Sequence, residues 1–176
     1  MEIIAGTYRG RKLISPRSCV RPIPVLLRKS MFDILGTQIP DCRFLDAFAG
    51  SGVVGMEALS RGAAWVDFVE ADRVTADVIR KNLDRLKSQA MAGIHEVDYF
   101  QFLRSASRAY DVVFMDPPYE FKPLAEAVAK TLESDFVTAS TSVVVKAPAD
   151  CSWPQSQSTL RRVRVQGSNA LFFFSR

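Results

Sequence analysis

Two periods of apolar and polar residues run along this chain, and the switches between them mark out its elements. Short apolar runs read as strands, and stripes at helical spacing read as helices. From residue 43 onward the two alternate. Residues 44–48 form a strand, 53–60 a helix, 65–69 a strand, and 73–89 a long amphipathic helix with Val74, Val78, Leu83 and Leu86 inward. A short strand follows at 94–97, a helix at 99–107, a strand at 112–115, a helix at 124–132 and a strand at 142–146. Strands that are apolar nearly throughout, each followed by a helix, imply a parallel sheet covered on both faces. The rhythm breaks at the end, where 160–166 and 170–175 are two strands joined at Gly167-Ser168-Asn169, a terminal antiparallel hairpin.

The opening is organised differently. Residues 2–5 and 12–14 are strand-like around a Gly6-Thr7-Tyr8-Arg9-Gly10 turn, which predicts a small β-hairpin. Residues 15–24, with Pro16, Pro22 and Pro24, form an extended linker. Pro24 then opens a helix over 25–35 that Gly36 closes.

The 176 residues, 48% hydrophobic and 24% charged, suit one globular domain with a full core. No apolar run approaches the ~20 residues of a membrane helix, and Met1-Glu2-Ile3-Ile4 lacks the pattern of a signal peptide. A soluble, cytoplasmic protein is expected. Cys19, Cys42 and Cys151 are widely spaced and form no CxxC pair, so neither a disulfide framework nor a cysteine-rich zinc site is indicated. The net charge of +4 is unevenly spread: residues 1–32 hold seven basic side chains against Glu2 alone, and the rest is slightly acidic. A basic arm on an acidic body is the footprint of polyanion binding, and the bland alternative is a solubilising terminus.

The candidate chemistry sits at strand ends. Asp116-Pro117-Pro118-Tyr119 follows the apolar run 112–115. Neither proline has an N–H, so this loop presents carbonyl acceptors, a carboxylate and a flat ring, a surface suited to a planar group bearing an NH₂. The alternative is that Pro-Pro merely ends the strand. At the first strand-to-helix turn, Gly50, Gly52 and Gly55 satisfy GxGxxG, a weak signal alone. Acids stand at the tips of three successive strands: Asp46, Glu70 and Asp98. Glu70 would suit the ribose of a dinucleotide as well as any other. Asp46 beside the glycine loop would repel a pyrophosphate and attract an ammonium or a sulfonium, which favours S-adenosylmethionine (AdoMet). On this reading the backbone of Gly50, Ser51 and Gly52 lies against the methionine part, Glu70 holds the ribose, Asp98 with Tyr99 frames the adenine, and Phe48 is a further cofactor-binding residue. Asp98 as a helix cap and Tyr99 as core are the alternatives, and Asp72 reads as an N-cap.

Asp46-Ala-Phe-Ala-Gly-Ser-Gly, the stretch from Gly55 through Glu57-Ala-Leu-Ser-Arg-Gly62-Ala, Glu70-Ala-Asp72 and Asp116-Pro-Pro-Tyr119 together resemble the RsmD family of bacterial 16S rRNA guanine-N2 methyltransferases. The opening Gly6-Thr-Tyr-Arg-Gly-Arg-Lys-Leu and Arg21-Pro22 extend the likeness over almost the whole chain. The resemblance implies an α/β class I methyltransferase fold, a Rossmann-like three-layer sandwich. Its seven-stranded, mostly parallel sheet has an antiparallel last strand, and a small N-terminal hairpin precedes it. It further implies AdoMet as donor and small-subunit ribosomal RNA, free or in an assembling 30S particle, as substrate.

Residues 1–22 would form the basic arm and linker, and 23–176 the methyltransferase domain. One segment departs: after Arg-Pro the family usually runs Thr-Thr/Ser-Asp-Arg-x-Arg-Glu, whereas this chain has Ile23-Pro24-Val25-Leu26-Leu27-Arg28-Lys29, keeping only Arg28.

The expected mechanism needs neither metal nor covalent intermediate. Asp116 and the Pro117 carbonyl accept the two N–H bonds of the target amine, and Tyr119 stacks on the flipped base. His95, the single histidine, is expected to face solvent or a neighbouring strand. Arg9, Arg11, Lys12, Arg17, Arg21 and Arg28 form the expected RNA contact, Arg161, Arg162 and Arg164 offer an extension of it, and a monomer is the simplest assembly. Three other readings stay open: an amino-methyltransferase for adenine N6 or cytosine N4, a nicotinamide-dependent oxidoreductase, and an RNA-binding relative with weakened catalysis.

Overall fold

The computed structural model describes residues 1–16, 23–153 and 159–176. Its centre is a seven-stranded sheet in the order β3-β2-β1-β4-β5-β7-β6. The strands are β1 (Arg43–Asp46), β2 (Trp65–Val69), β3 (Ala92–His95), β4 (Tyr110–Met115), β5 (Val137–Pro148), β6 (Leu160–Gln166) and β7 (Asn169–Phe174). The first five run parallel, β7 pairs antiparallel with β5, and β6 pairs antiparallel with β7 at the edge. The helices are α1 (Val25–Leu35), α2 (Val53–Ser60), α3 (Arg73–Leu86), α4 (Tyr99–Ser105) and α5 (Leu124–Glu133). This is the expected class I methyltransferase architecture, with the last strand antiparallel.

Two cores flank the sheet. On one face Leu27, Phe32, Phe44, Phe68, Ile79 and Leu83 pack α1, α2 and α3 against the strands. On the other, Tyr99, Phe102, Ala127, Val128 and Leu132 seat α4 and α5. All eight residues of α2 are buried, so this helix is apolar on every side except where Glu57 and Ser60 meet polar partners. Gly55 lets it lie close to β2: a Cβ there would come within 2.3 Å of the Phe68 ring and 2.8 Å of Val66.

The chain moves from β1 outward through β2 to β3, then returns to place β4 on the other side of β1. That reversal opens a crevice at the carboxyl ends of β1 and β4, the position where open α/β sheets take ligands.

The sequence reading holds for every main element, with local differences. β5 is longer than the 142–146 expected, because its first residues pair Val137 with Tyr110 before a register shift. α3 stops at Leu86 because Lys87 adopts a left-handed φ of 57°. Val74 is 70% exposed and not inward. The buried stripe of α3 centres on Thr75, Ile79, Asn82 and Leu86, so Val78 lies at its edge and Val74, one turn earlier, falls outside it.

The N-terminal hairpin forms around a Glu2–Lys12 bridge, with Ile3 N–H donating to the Arg11 carbonyl at 3.1 Å and Leu13 N–H to the Met1 carbonyl at 2.8 Å. It is seated on α2. Ile3 and Leu13 are buried in the same core as Phe44 and Phe68, and Thr7 N–H donates to the Ser60 carbonyl at 2.7 Å. Beyond it, the Asn82 side chain accepts from Ile14 N–H at 2.7 Å and donates to Ile14 O at 3.0 Å, pinning the start of the linker.

Candidate active site

The crevice at the strand tips is a cleft of about 590 Å³. β1 delivers Asp46 to its floor, β2 Glu70, the turn after β3 Asp98, and β4 Asp116. Glu120 brings the acids to five, against one ammonium, Lys146, among the described lining residues. The rest of the wall is apolar and largely aromatic: the Phe48 ring lies 4.9 Å from Tyr99 and 5.0 Å from Phe121, centroid to centroid.

Carboxylates in such surroundings resist ionisation. Asp46 is fully buried, and burial pushes its carboxyl up to about 8, against the pull of the Gly55 N–H, with Asp116 and Glu70 adding repulsion. Burial likewise raises Glu70, opposed by its bonds from Asp72 and Gly50. It raises Asp116 too, opposed by the Lys146 charge. Among the described lining residues, Lys146 carries the one positive charge that faces them.

The glycine loop turns through Gly50 and Gly52, both at positive φ (53° and 76°), into the first turn of α2. A pyrophosphate would need the free N–H groups of this loop and helix terminus. Two of them are already taken: Gly55 N–H donates to Asp46 Oδ2 at 2.9 Å and Gly50 N–H to Glu70 Oε2 at 2.8 Å. The terminus is therefore neutralised by acid from within, which leaves the site fitted to a cation and not to a phosphate anion. Asp46, Glu70, Asp98 and the loop supply acceptors, carboxyls that a cation can draw into ionisation, and the apolar, aromatic surroundings that suit the ammonium, sulfonium, ribose and adenine of AdoMet.

The structure brings all the residues expected to hold cofactor or base to this cleft except Gly52, which shapes the loop as the residue preceding α2. Some carry a second duty. Glu70 bridges the glycine loop to Asp72, whose N–H it accepts at 3.0 Å. Asp98 caps α4 through Gln101 N–H at 2.9 Å. The Tyr99 ring faces the cleft while its hydroxyl bonds Thr131 Oγ1 at 2.7 Å in the core. Asp72 caps α3, as its position predicts, accepting from Thr75 N–H at 2.8 Å. His95 meets a neighbouring strand, its Nε2 2.9 Å from Asp67 Oδ1.

The Asp-Pro-Pro-Tyr loop forms the outer lip. Tyr119 is 61% exposed, and its hydroxyl donates to Asn169 Oδ1 at 3.0 Å, tying the loop to the β6–β7 turn. The opposite end of the loop is held by a residue that sequence reasoning missed. Lys146 Nζ donates to Asp116 Oδ1 at 2.8 Å and lies 5.2 Å from the Tyr119 ring centroid. The available signal was a lysine closing the run Val143-Val144-Val145, since β5 pairs with β4 and carries Lys146 alongside the strand end that bears Asp116. Ile23, the first residue of the atypical segment, also lines the cleft and adds an apolar side chain there.

Arg28, expected among the RNA contacts, is not on the surface. It is 2% exposed, donates through Nη2 to the Glu2 carbonyl at 2.6 Å and stands 3.9 Å from Glu57. One helical turn of α1 carries it inward between hairpin and α2, so its charge is spent on holding them together. Arg9, Arg11 and Lys12 are exposed on the hairpin. Arg17 and Arg21 lie outside the described residues. No helix among those residues is long and apolar enough to cross a membrane.

The family model described as conserved hypothetical protein 95 matches residues 1–175. The ribosomal RNA small subunit methyltransferase D of Haemophilus influenzae is 35% identical over 85% of this chain and 80% of its own length. A solved hypothetical protein of Thermus thermophilus superimposes with a TM-score of 0.88 at 36% identity, covering 100% of this chain and 99% of that one. An RNA methyltransferase of Salinibacter ruber, solved with S-adenosyl-L-homocysteine, superimposes with a TM-score of 0.69 over 88% of this chain and 92% of that one. At 15% identity it shows the shared fold alone.

Proposed function

The chain belongs to the RsmD family, described as conserved hypothetical protein 95, and from that premise we propose that it methylates the exocyclic N2 amine of a guanine in small-subunit rRNA, using AdoMet. The observation that carries this reading is the pairing of two strand tips. Asp46 ends β1 and Asp116 follows β4, these strands are neighbours, and both carboxyl groups line one cleft. A cation-binding floor and an amine-binding lip thus lie side by side.

In this reading Asp46 takes the cationic end of AdoMet, Phe48 and the Gly50-Ser51-Gly52 loop lie along its methionine part, Glu70 holds the ribose, and Asp98 with Tyr99 frames the adenine. AdoMet, when bound, would supply an electrophilic methyl group, with sulfur keeping the electron pair of the bond that breaks. The lone pair of a nucleobase amine is delocalised into the ring, so the protein's task is to localise it. Asp116 and the Pro117 carbonyl accept the two N–H bonds and turn the nitrogen toward tetrahedral geometry, aiming its lone pair into the cleft. The proton released after transfer passes to Asp116 and then to solvent. Tyr119 offers an exposed ring for stacking on the flipped base, a contact worth ~1–3 kcal/mol.

The hairpin's Arg9, Arg11 and Lys12 supply phosphate contacts, with Arg17 and Arg21 continuing the basic run in sequence. Their contribution is salt-dependent and independent of the base. The protein acts as a cytoplasmic monomer on free rRNA or an assembling 30S particle. The test is transfer of labelled methyl from AdoMet to small-subunit rRNA and particles from a strain lacking this protein, with the modified base then mapped. N2-methylguanine is expected. Label on adenine N6 or cytosine N4 would overturn the base assignment, and AdoMet binding without transfer to any ribosomal substrate would overturn the activity.

A further inference from the structure

Lys146 has no place in the reaction described above, although it lines the cleft. It sits near the end of β5, 7% exposed, directly after the buried run Val143-Val144-Val145. A buried ammonium is costly unless paired, and this one is paired at 2.8 Å with the carboxylate to which the reaction assigns the target amine. The same Nζ lies 5.2 Å from the centroid of the ring assigned to stack on the base. One side chain therefore meets both working parts of the Asp-Pro-Pro-Tyr loop.

We propose that Lys146 is the positioning residue of this site, locking Asp116 Oδ1 so that Oδ2 is presented to the incoming amine, and seating the Tyr119 ring above the same ammonium. The inference rests on the methyl-transfer reading for what Asp116 and Tyr119 do. Among the described residues Oδ1 has Lys146 as its partner, and Oδ2 has no hydrogen-bond partner. The division of labour follows from the acceptor count: an ionised carboxylate has two acceptor oxygens, and spending one on a fixed lysine orients the other.

The surrounding charges make this lysine necessary. Asp46 at the tip of β1 and Glu70 at the tip of β2 share the cleft with Asp116, and its own loop adds Tyr119 and Glu120. Among the described lining residues Lys146 from β5 is the counter-charge, and it acts directly on Asp116. Without it, burial would drive Asp116 to take up a proton. A protonated carboxyl donates one hydrogen bond and would meet the N–H of the target amine with a hydrogen of its own.

The experiment is a carbon-13 NMR titration of the Asp116 carboxyl in full-length protein carrying labelled aspartate, with Asp116→Asn to assign the resonance. It compares wild type with Lys146→Met, Lys146→Gln and Lys146→Arg. The neutral variants should move the Asp116 midpoint upward by about one to three pH units, and the arginine variant should stay near wild type. The acid limb of the methyl-transfer pH profile should move with the carboxyl. Lys146→Gln keeps a hydrogen-bond donor without charge, so it supplies a reading if Lys146→Met fails to fold. An unmoved midpoint in a folded neutral variant, or an arginine variant displaced as far as the neutral ones, would overturn the proposal. The titration needs no turnover, so absence of methyl transfer in wild type would sink the functional reading while the carboxyl still reports on Lys146.

Discussion

Arg28 Nε stands 3.9 Å from Glu57 Oε2, with both side chains sealed from solvent. Glu57 also accepts from Ile4 N–H at 2.8 Å, Ala5 N–H at 3.0 Å and Arg61 Nε at 2.8 Å, so one carboxylate on α2 joins the hairpin to α1. Without Arg28, Glu57 keeps Arg61 and the two backbone N–H groups, so the cost is chiefly that of the charge-assisted bond to the Glu2 carbonyl, about 1.5–3 kcal/mol. Arg28→Ala should lose stability on that scale in urea unfolding. The salt dependence of RNA binding should be unchanged wherever the variant is folded. Arg9→Ala with Arg11→Ala should do the opposite: stability within about 0.5 kcal/mol of wild type, and a slope of log K against log salt that is shallower by roughly two phosphate contacts.

Asp46 predicts an unusual pH dependence. Its carboxyl stands at about 8 in the folded protein against an ordinary 3.8, so between those values the native state holds a proton that the unfolded chain releases. Its contribution to stability is therefore complete below about pH 4 and is lost as pH rises toward 8, by up to about 1.4 kcal/mol per pH unit. Burial raises Glu70 and Asp116 as well, and they act in the same direction. Asp46→Asn keeps an acceptor for Gly55 N–H and removes the titration. Urea unfolding at about pH 5.5, 7 and 8.5 should show wild type weakening with pH and the variant following a flatter course. The same variant should bind AdoMet more weakly, because a carboxyl can shed its proton to meet a cation and an amide cannot.

Much of this arrangement could be read from residues in order. Strands of four to six apolar residues followed by helices fix the parallel sheet, and strand ends bearing Asp46, Glu70, Asp98 and Asp116 then converge because parallel strands share a carboxyl edge. What order along the chain does not carry is pairing between distant segments. Lys146 meets Asp116 only through the β4–β5 register, and Arg28 turns inward only because the hairpin and α2 leave a carbonyl and a carboxylate there to receive it. Its place in a basic run made it look like surface. Val74 shows the same limit on a smaller scale, since one apolar residue beside a helical stripe does not say on which edge the stripe ends.

Asp116→Ala separates binding from chemistry. The residue lies at the lip of the cleft, and AdoMet is assigned to Asp46, Glu70 and Asp98 on the floor and inner wall. Calorimetric titration of AdoMet should give an affinity close to wild type, and pairing the substitution with Lys146→Met removes the ammonium that Asp116→Ala leaves uncompensated. Methyl transfer to rRNA should fall by at least about 10²-fold, the scale on which loss of a single stabilising hydrogen-bond partner acts. Undiminished transfer with intact AdoMet binding would remove Asp116 from the mechanism.

Tyr119 divides into a ring and a hydroxyl with different duties. The hydroxyl donates to Asn169 Oδ1 at 3.0 Å and anchors the lip to the β6–β7 turn, while the ring is exposed above Lys146. Tyr119→Phe keeps the stacking face and loses an exposed hydrogen bond, so KM for rRNA should change little and kcat should fall only as far as the loop loosens. Tyr119→Ala removes the face itself, and loss of a stacking contact of ~1–3 kcal/mol corresponds to roughly a 5- to 150-fold drop in kcat/KM. Because a base must be flipped before it can stack, the penalty should be smaller on a short single-stranded RNA than on a structured substrate in which unstacking has to be offset. Equal losses for Tyr119→Phe and Tyr119→Ala would place the contribution in the Asn169 anchor and not in the ring.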